Sequence, residues 1–360
     1  GRTWMASEDL TKDVDRTELS IMGVLDGDIV ASRNDGQSGF SYGTTVAESP
    51  SQLGVIWVGT DDGNVQVSQD GGMTFTDVTG NIPNPPEGYF RVKRVEPSNF
   101  DPGTCYVVFD NHRNEDWNPY VYVTRDFGAS FTNITNNLPV GPTNVITEDP
   151  VNPNLLYLGT EFGLYISLNG GQEWQRFQNG LPTVRIDDIL VHPRDNDLVV
   201  GTHGRSIWIV DDITPLQQYT PEIASGDAFL FEVRPGVQWI DDTQKSVTIG
   251  GQKHFRGDNP EDGTAISYYL PIDVGSDVEL TITDMAGNPV TELSGPGARG
   301  INRVQWNLTT LPPVDPDQPQ ARRRATPVDP GTYLVKMVVG GQELVRSILV
   351  LEDIWMDETH

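Results

Sequence analysis

The chain has 360 residues, with 51 acidic side chains against 24 basic ones and a formal net charge of −27. Phosphate backbones and anionic lipid surfaces are met by basic faces, so this balance argues against nucleic acid and lipid headgroups as partners. No apolar run approaches the roughly 18 residues of a membrane-spanning helix, and 37 glycines with 26 prolines point to a turn-rich β protein.

Taken from the N-terminus, residues 1–42 open on Gly1-Arg-Thr-Trp4, which has the form of the last four positions of a turn signature that recurs further on. The chain is therefore expected to begin inside a repeat, as the C-terminal part of a larger precursor. A secretory signal would belong to an upstream portion, because no charged and then apolar leader pattern stands here. The rest of this stretch is a Gly/Asp/Ser-rich insertion.

From residue 43 four repeats can be aligned, over 43–87, 88–139, 140–184 and 185–220. Their first strands end at Pro50, Pro97, Pro150 and Pro193. Their second strands are Val55-Ile-Trp-Val-Gly59-Thr60, Tyr106-Val-Val-Phe109-Asp110, Leu156-Tyr-Leu-Gly159-Thr160 and Leu198-Val-Val-Gly201-Thr202. A turn, a third strand, a signature turn and a fourth strand follow in each. Cys105, the only cysteine, lies in one of these apolar runs, so no internal disulfide forms and a buried thiol is expected.

The signature turns are Ser68-Gln-Asp70-Gly-Gly72-Met-Thr74-Phe75, Thr124-Arg-Asp126-Phe-Gly128-Ala-Ser130-Phe131 and Ser167-Leu-Asn169-Gly-Gly171-Gln-Glu173-Trp174. An Asp or Asn in such a turn accepts hydrogen bonds from backbone N–H groups further on, and the glycines supply positive φ. The closing aromatic is expected to pack between sheets. The pattern Ser/Thr-x-Asp-x-Gly-x-Thr/Ser-aromatic is similar to the Asp-box of bacterial neuraminidase-type repeats. That resemblance, with a repeat of roughly 40–50 residues, implies the four-stranded blades of a β-propeller. In the fourth repeat Ile209-Val-Asp211-Asp212 takes the place of the box without its serine or glycines, as expected at the end of an array.

About four blades do not close a ring. The remainder is expected from the rest of the precursor or from another chain. Thr214-Pro-Leu-Gln-Gln has the start signals of a short helix, and residues 221–262 read as a linker with a short helix and a strand at Ala228-Phe-Leu-Phe-Glu-Val. Residues 263–353 alternate with period two and turn at Asp284-Met-Ala-Gly287-Asn288 and Asp329-Pro-Gly331, which reads as a small sandwich of fibronectin type. The stretches from Val278, from Gly300 to Trp306 and from Pro330 to Tyr333 resemble the Ig-like domain of the flagellar hook-capping protein, which implies spacing or docking. The expected class is all-β: a partial, about four-bladed Asp-box propeller followed by an Ig-like sandwich. Through Gly201-Thr-His-Gly-Arg205 and Asn259-Pro-Glu-Asp-Gly, the whole resembles secreted bacterial sortilin-like proteins with neuraminidase-type repeats. That likeness implies an extracytoplasmic location more firmly than an activity.

The turns between second and third strands collect the chemistry-bearing residues: Asp61 and Asp62; Asp110, His112, Arg113 and Trp117; Glu161; His203 and Arg205. They are expected on one face, opposite the boxes, as a binding face for a glycan or protein. A glycosidase needs two carboxylates about 5–5.5 Å or 6.5–9.5 Å apart, for which Asp61 or Asp62 with Glu161 are the candidates and Trp117 a sugar platform. Solvated turn chemistry accounts for the same residues. Phe90-Arg91-Val92-Lys93 lacks the proline of the sialidase arginine motif and reads as a core strand carrying a charge. His112 and His203 lack a second ligand at metal-site spacing, so neither a metal nor a cofactor is expected. The sequons at Asn133 and Asn307, the triplet Arg256-Gly-Asp258 and the basic run Arg322-Arg323-Arg324 read as coincidence or solvated loops.

Overall fold

The computed structural model describes residues 6–15, 40–178, 180–240, 257, 259–310 and 325–354. Gly1 to Trp4, Arg322 to Arg324, and Arg256 and Asp258 lie outside them. The chain folds into two compact units, Gly1–Val210 and Asp211–His360, and the described elements are almost wholly β.

In the first unit four antiparallel meanders follow one another. The first sheet runs β1 (Gly43–Glu48), β2 (Ile56–Thr60), β3 (Val65–Ser68) and β4 (Thr76–Asp77), in that spatial order. The second runs β5 (Arg91–Pro97), β6 (Cys105–Asp110), β7 (Tyr120–Thr124) and β8 (Thr132–Asn133). The third comprises β9 (Thr143–Glu148), β10 (Leu156–Thr160), β11 (Gly163–Ser167) and β12 (Gln175–Phe177). In the fourth sheet β13 (Ile186–Val191), β14 (Leu198–Thr202) and β15 (Ile207–Val210) form three strands. The first strands β1, β5, β9 and β13 pack against one another in succession, which makes this a partial propeller with those strands innermost.

Stacking buries the middle sheets on both faces, and side-chain alternation sorts one strand into two cores. Cys105, Val107 and Phe109 of β6 join Trp57, Val65, Val67 and Val92 in the core between the first two sheets. Tyr106 and Val108 join Val121, Ile146, Leu158 and Trp174 in the next. This is why β6 reads as an unbroken apolar run. Burial pushes the Cys105 thiol well up, so the cysteine is packing and not a nucleophile.

The three signature turns share one hydrogen-bond pattern. Ser68 Oγ donates to Asp70 Oδ1 and accepts from the Gly72 N–H, while the Thr74 amide and hydroxyl donate to the two oxygens of Asp70. Those bonds, the Thr74 hydroxyl first, hold Asp70 down to about 2. Thr124, Asp126, Gly128 and Ser130 repeat them bond for bond. Ser167, Asn169, Gly171 and Glu173 repeat all but the hydroxyl bond, which glutamate does not supply.

Glycines set how closely sheets approach. A Cβ on Gly128 would stand 2.8 Å from Val78 of the preceding sheet, and one on Gly171 would stand 2.8 Å from Ile134. Asn81 and Asn136 donate side-chain N–H groups to the carbonyls of those same two glycines. Nearer the inner strands, a Cβ on Gly59 would overlap Val92, and one on Gly159 would stand 2.8 Å from Ile186. Threonines tie sheet to sheet: Thr44 Oγ1 donates to the Val92 carbonyl and Thr147 Oγ1 to that of Ile189, each between inner strands, and Thr143 Oγ1 donates to the Phe109 carbonyl on β6.

The second unit starts with α1 (Thr214–Gln218) and α2 (Pro221–Ser225), where Thr220 caps α2 through the Ile223 N–H. Strands β16 (Phe229–Leu230), β17 (Gly236–Gln238), β18 (Thr264–Leu270), β19 (Val278–Asp284), β20 (Pro289–Gly295) and β21 (Gly300–Trp306) follow. The last are β22 (Thr309–Thr310), β23 (Thr326–Pro327), β24 (Gly331–Val339) and β25 (Gln342–Glu352). They make sheets β16-β18-β21 and β17-β25-β24-β19-β20, with β22 and β23 as a separate pair. Both larger sheets contribute to one core, Ile266 and Tyr268 from the first, Leu280, Val335, Met337 and Ile348 from the second.

Gly159→Ala tests the sheet spacing without a backbone penalty, because Gly159 is not at positive φ. The overpacked Cβ is expected to destabilise the first unit by about 1–3 kcal/mol. Gly43→Ala, with nothing within 4 Å of the added Cβ, should leave it within about 0.5 kcal/mol. Denaturant unfolding of the two variants measures both.

Candidate functional site

Two kinds of segment meet at the end of the first unit opposite the signature turns. One is the turn after each second strand; the other is the chain leading into each first strand. Backbone bonds tie them together: Asp61 N–H to the Tyr42 carbonyl, Glu161 N–H to that of Pro142, and His203 N–H to that of Arg185. Each inner strand also carries a register shift at this end, which leaves Thr44, Lys93, Asn144 and Asp187 as the extra residues. Bulges of this kind re-aim side chains beside binding sites.

The result is a cleft of about 360 Å³, lined from the first, second and fourth sheets. Of the residues expected on the binding face, it is lined by Asp110, His112, Arg113 and His203, and by the candidate carboxylate Asp61. Asp62, Glu161, Trp117 and Arg205 are not among its lining residues. Arg91, Lys93 and Arg185 line it with Phe40, Tyr89 and Asn111, six residues that no sequence motif marks as a site. The missed signal was the Arg91-Val92-Lys93-Arg94 run on one strand: Val92 enters the core while the bulge turns Lys93 to the same end as Arg91.

The carboxylates here are engaged. Asp62 is fully buried and accepts from the Thr60 hydroxyl and from the Lys12 N–H at 2.7 Å. Asp61 accepts the Tyr42 N–H at 2.8 Å. Burial pushes the Asp61 carboxyl up, with the Asp62 charge adding, against the Tyr42 N–H and the Arg91 guanidinium. Asp110 receives the His112 ring at 2.7 Å and the Lys93 ammonium at 3.4 Å. Burial alone would raise Asp110, but the His112 ring, the Lys93 charge and the His112 N–H outweigh it and hold the group at about 2. Glu161 lies 3.7 Å from Arg185, whose Nε also meets Asp187 at 2.6 Å, and Asp187 reaches the His203 ring at 3.3 Å. Trp117 stands over His112 with ring centroids 5.8 Å apart, and the Arg205 carbonyl accepts the Trp208 indole N–H.

The cations are more concentrated than the overall charge suggests. Burial pushes the Arg91 guanidinium down, and the neighbouring charges of Arg113 and Arg185 push it the same way, against Asp61 and Asp110. Burial also lowers Lys93, with Asp110 opposing. Four Arg and Lys side chains thus share one cleft in a chain whose net charge is −27. Among the described residues no three His, Cys, Asp or Glu side chains gather as a metal-binding group. A wider groove in the second unit, about 570 Å³, is lined by Leu270, Pro271, Ile272, Gly340 and Gly341 with Asp227 as its charged residue, and assembles no chemistry.

No protein-family model matches this chain, and no curated protein does. Among solved structures it is similar to the GH74 xyloglucanase from Xanthomonas campestris, at 14% identity and a TM-score of 0.40, over 86% of this chain and 44% of that one. It is also similar to the Niastella koreensis GH74 enzyme, at 17% identity and a TM-score of 0.37, over 83% of this chain and 49% of that one. YCF48 from Cyanidioschyzon merolae matches at 14% identity and a TM-score of 0.31, over 85% of this chain and 84% of that one. The chain spans less than half the length of the two GH74 enzymes. No helix among the described residues is long and apolar enough to cross a membrane.

Asp110→Asn removes the counter-charge of a Lys93 side chain that is 13% exposed, and is expected to cost about 2–4 kcal/mol at pH 7. Asp110 is held below its ordinary value in the folded state. Its contribution is therefore complete above pH about 4 and lost as the pH falls toward about 2. Acid titration of stability should show that loss in the parent protein and a flatter profile in Asp110→Asn.

Proposed function

We propose that this chain is a binding module, part of a larger propeller, whose axial cleft receives a protein or polysaccharide partner outside the cytoplasm, with the second, Ig-like unit as spacer or dock. The observation that carries this reading is the cleft itself: three sheets contribute polar side chains to one concavity whose carboxylates are already bonded to the protein. Such a lining suits holding a ligand better than exchanging protons with one.

Two edges that leave apolar groups open support completion of the ring by further blades, although Leu10 already covers part of β3 in the first sheet. Phe131 and Trp174 are 8% and 3% exposed because a preceding sheet covers them, whereas Phe75 of the first signature turn is only half-buried. At the other end β15 leaves Ile207 and Ile209 exposed and has no fourth strand beside it among the described residues. Apolar faces of this kind are where repeat units stack.

One observation favours a second reading, a glycoside hydrolase. Asp61 is pushed up and Asp110 down within one cleft, and carboxylates with separated titrations are what an acid and base pair requires.

Arrays of glycans and of peptides, probed with the purified chain, separate the two. The binding module is expected to capture a subset of ligands, with capture falling about tenfold or more in His203→Ala and Arg185→Ala, and to release no reducing ends. Turnover of a captured glycan that disappears in Asp61→Asn would establish the hydrolase instead. Capture unchanged in both cleft variants would remove the cleft from the function.

A further inference from the structure

Among the described residues, the axial cleft holds a donor with no acceptor. Arg91 begins β5, its Nε is buried, and among the described residues its side chain makes no hydrogen bond and no ion pair. The two lining carboxylates act on it only through space: Asp110 is taken by His112 and Lys93, and Asp61 by the Tyr42 N–H. The next sheet repeats the feature. Asn144 is the bulged residue of β9 at this same end, and its Nδ2 is also buried without an acceptor. Desolvated donors left in this state are costly and are completed by an ordered water, an ion or a ligand; Arg91 is the one of them that lines the cleft.

We propose that Arg91 anchors a carboxylate-binding site, and that the carboxylate belongs to a peptide segment of a partner protein, as its C-terminal group or an acidic side chain. This deepens the binding-module reading and rests on it. A guanidinium presents a planar fork that matches a carboxylate two bonds at a time. Lys93 and Arg185 come to the same cleft from two other positions in the fold and add positive potential. About 360 Å³ accommodates one residue-sized group. The Tyr89 ring, 42% exposed and edge-on to Phe40 at 6.5 Å, offers an apolar surface to the rest of that residue.

Charge decides between a peptide and an acidic polysaccharide. A net charge of −27 spread over the chain repels a polyanion along its length. A single carboxylate on an otherwise neutral segment meets only the local positive field of the cleft.

The test uses the full chain, ¹⁵N-labelled, and follows the arginine Nε–Hε signals by NMR. The Arg91 signal is the one missing from Arg91→Lys. The probes are N-acetyl-glycyl-leucine with a free carboxylate, the same dipeptide as its amide, trigalacturonic acid and sulfate. The free acid is expected to shift the Arg91 signal saturably and the amide to leave it in place. Arg91→Lys, which keeps the charge and loses the fork, should weaken binding of the free acid at least about tenfold.

No response to the free acid, or an equal response to the amide, overturns the proposal. Tighter binding of trigalacturonic acid or sulfate than of the free acid also overturns it, by moving the site to another class of anion. Should Arg91→Lys fail to fold, the signal is assigned by elimination from the other arginine variants and the parent-protein titrations decide. Array capture that survives Arg91→Lys but not His203→Ala would remove the anchor and leave the binding module standing.

Discussion

Close approach of successive sheets, made possible by glycine at a few fixed places, is the constraint from which the first unit follows. At Gly59 and Gly159 the missing Cβ is space filled by Val92 and Ile186 of the next sheet together with Thr45 and Val145 of the glycine's own sheet. At Gly128 and Gly171, on the opposite end, the same holds for Val78 and Ile134 of the preceding sheet. With both ends pinned, the innermost strands converge, and Arg94 on β5 reaches Asp188 on β13, two sheets away, at 3.3 Å. The cleft is a consequence of that convergence. Its lining comes from segments that would be unrelated surface loops on a flat stack.

Convergence also explains why the cleft is polar. The inner strands carry their apolar residues sideways into the inter-sheet cores, as Val92 and Val95 do. What remains at the strand ends is left for the axis. Register shifts at all four inner strands enlarge that set and bring Lys93 to the lining. Once there, each acid finds a base or a backbone N–H, and four Arg and Lys side chains line the cleft beside two carboxylates. Hence a strongly acidic chain presents a locally basic cleft.

Much of the architecture was legible because its signals are local. Ser68, Asp70 and Gly72 lie within five residues, and turn chemistry at that range determines conformation almost alone. The four second strands could be aligned because each is an apolar run, and in β6 that run fills two cores at once. The all-β class followed from those runs. The site was less legible, because it depends on pairs far apart in the chain. Asp61 and Asp62 look like solvated turn acids, yet the N–H groups they accept belong to Tyr42 and Lys12. Glu161 reads as a possible partner for them, but its neighbour is Arg185 and it does not line the cleft. Arg91 and Lys93 read as charges on a core strand, because a bulge that re-aims a side chain leaves no trace in composition or periodicity. The fourth sheet has three strands among the described residues, where the sequence lacks the serine and glycines of a signature turn.

The central claim is that sheet spacing at the glycines holds the cleft together. Hydrogen exchange read by mass spectrometry in Gly159→Ala tests it most directly. Overcrowding between the third and fourth sheets should lower protection together in β9, β10 and β13, and in the cleft segments around Arg185 and His203. Loss of protection confined to β10, with the fourth sheet and the cleft segments exchanging as in the parent protein, would contradict the account.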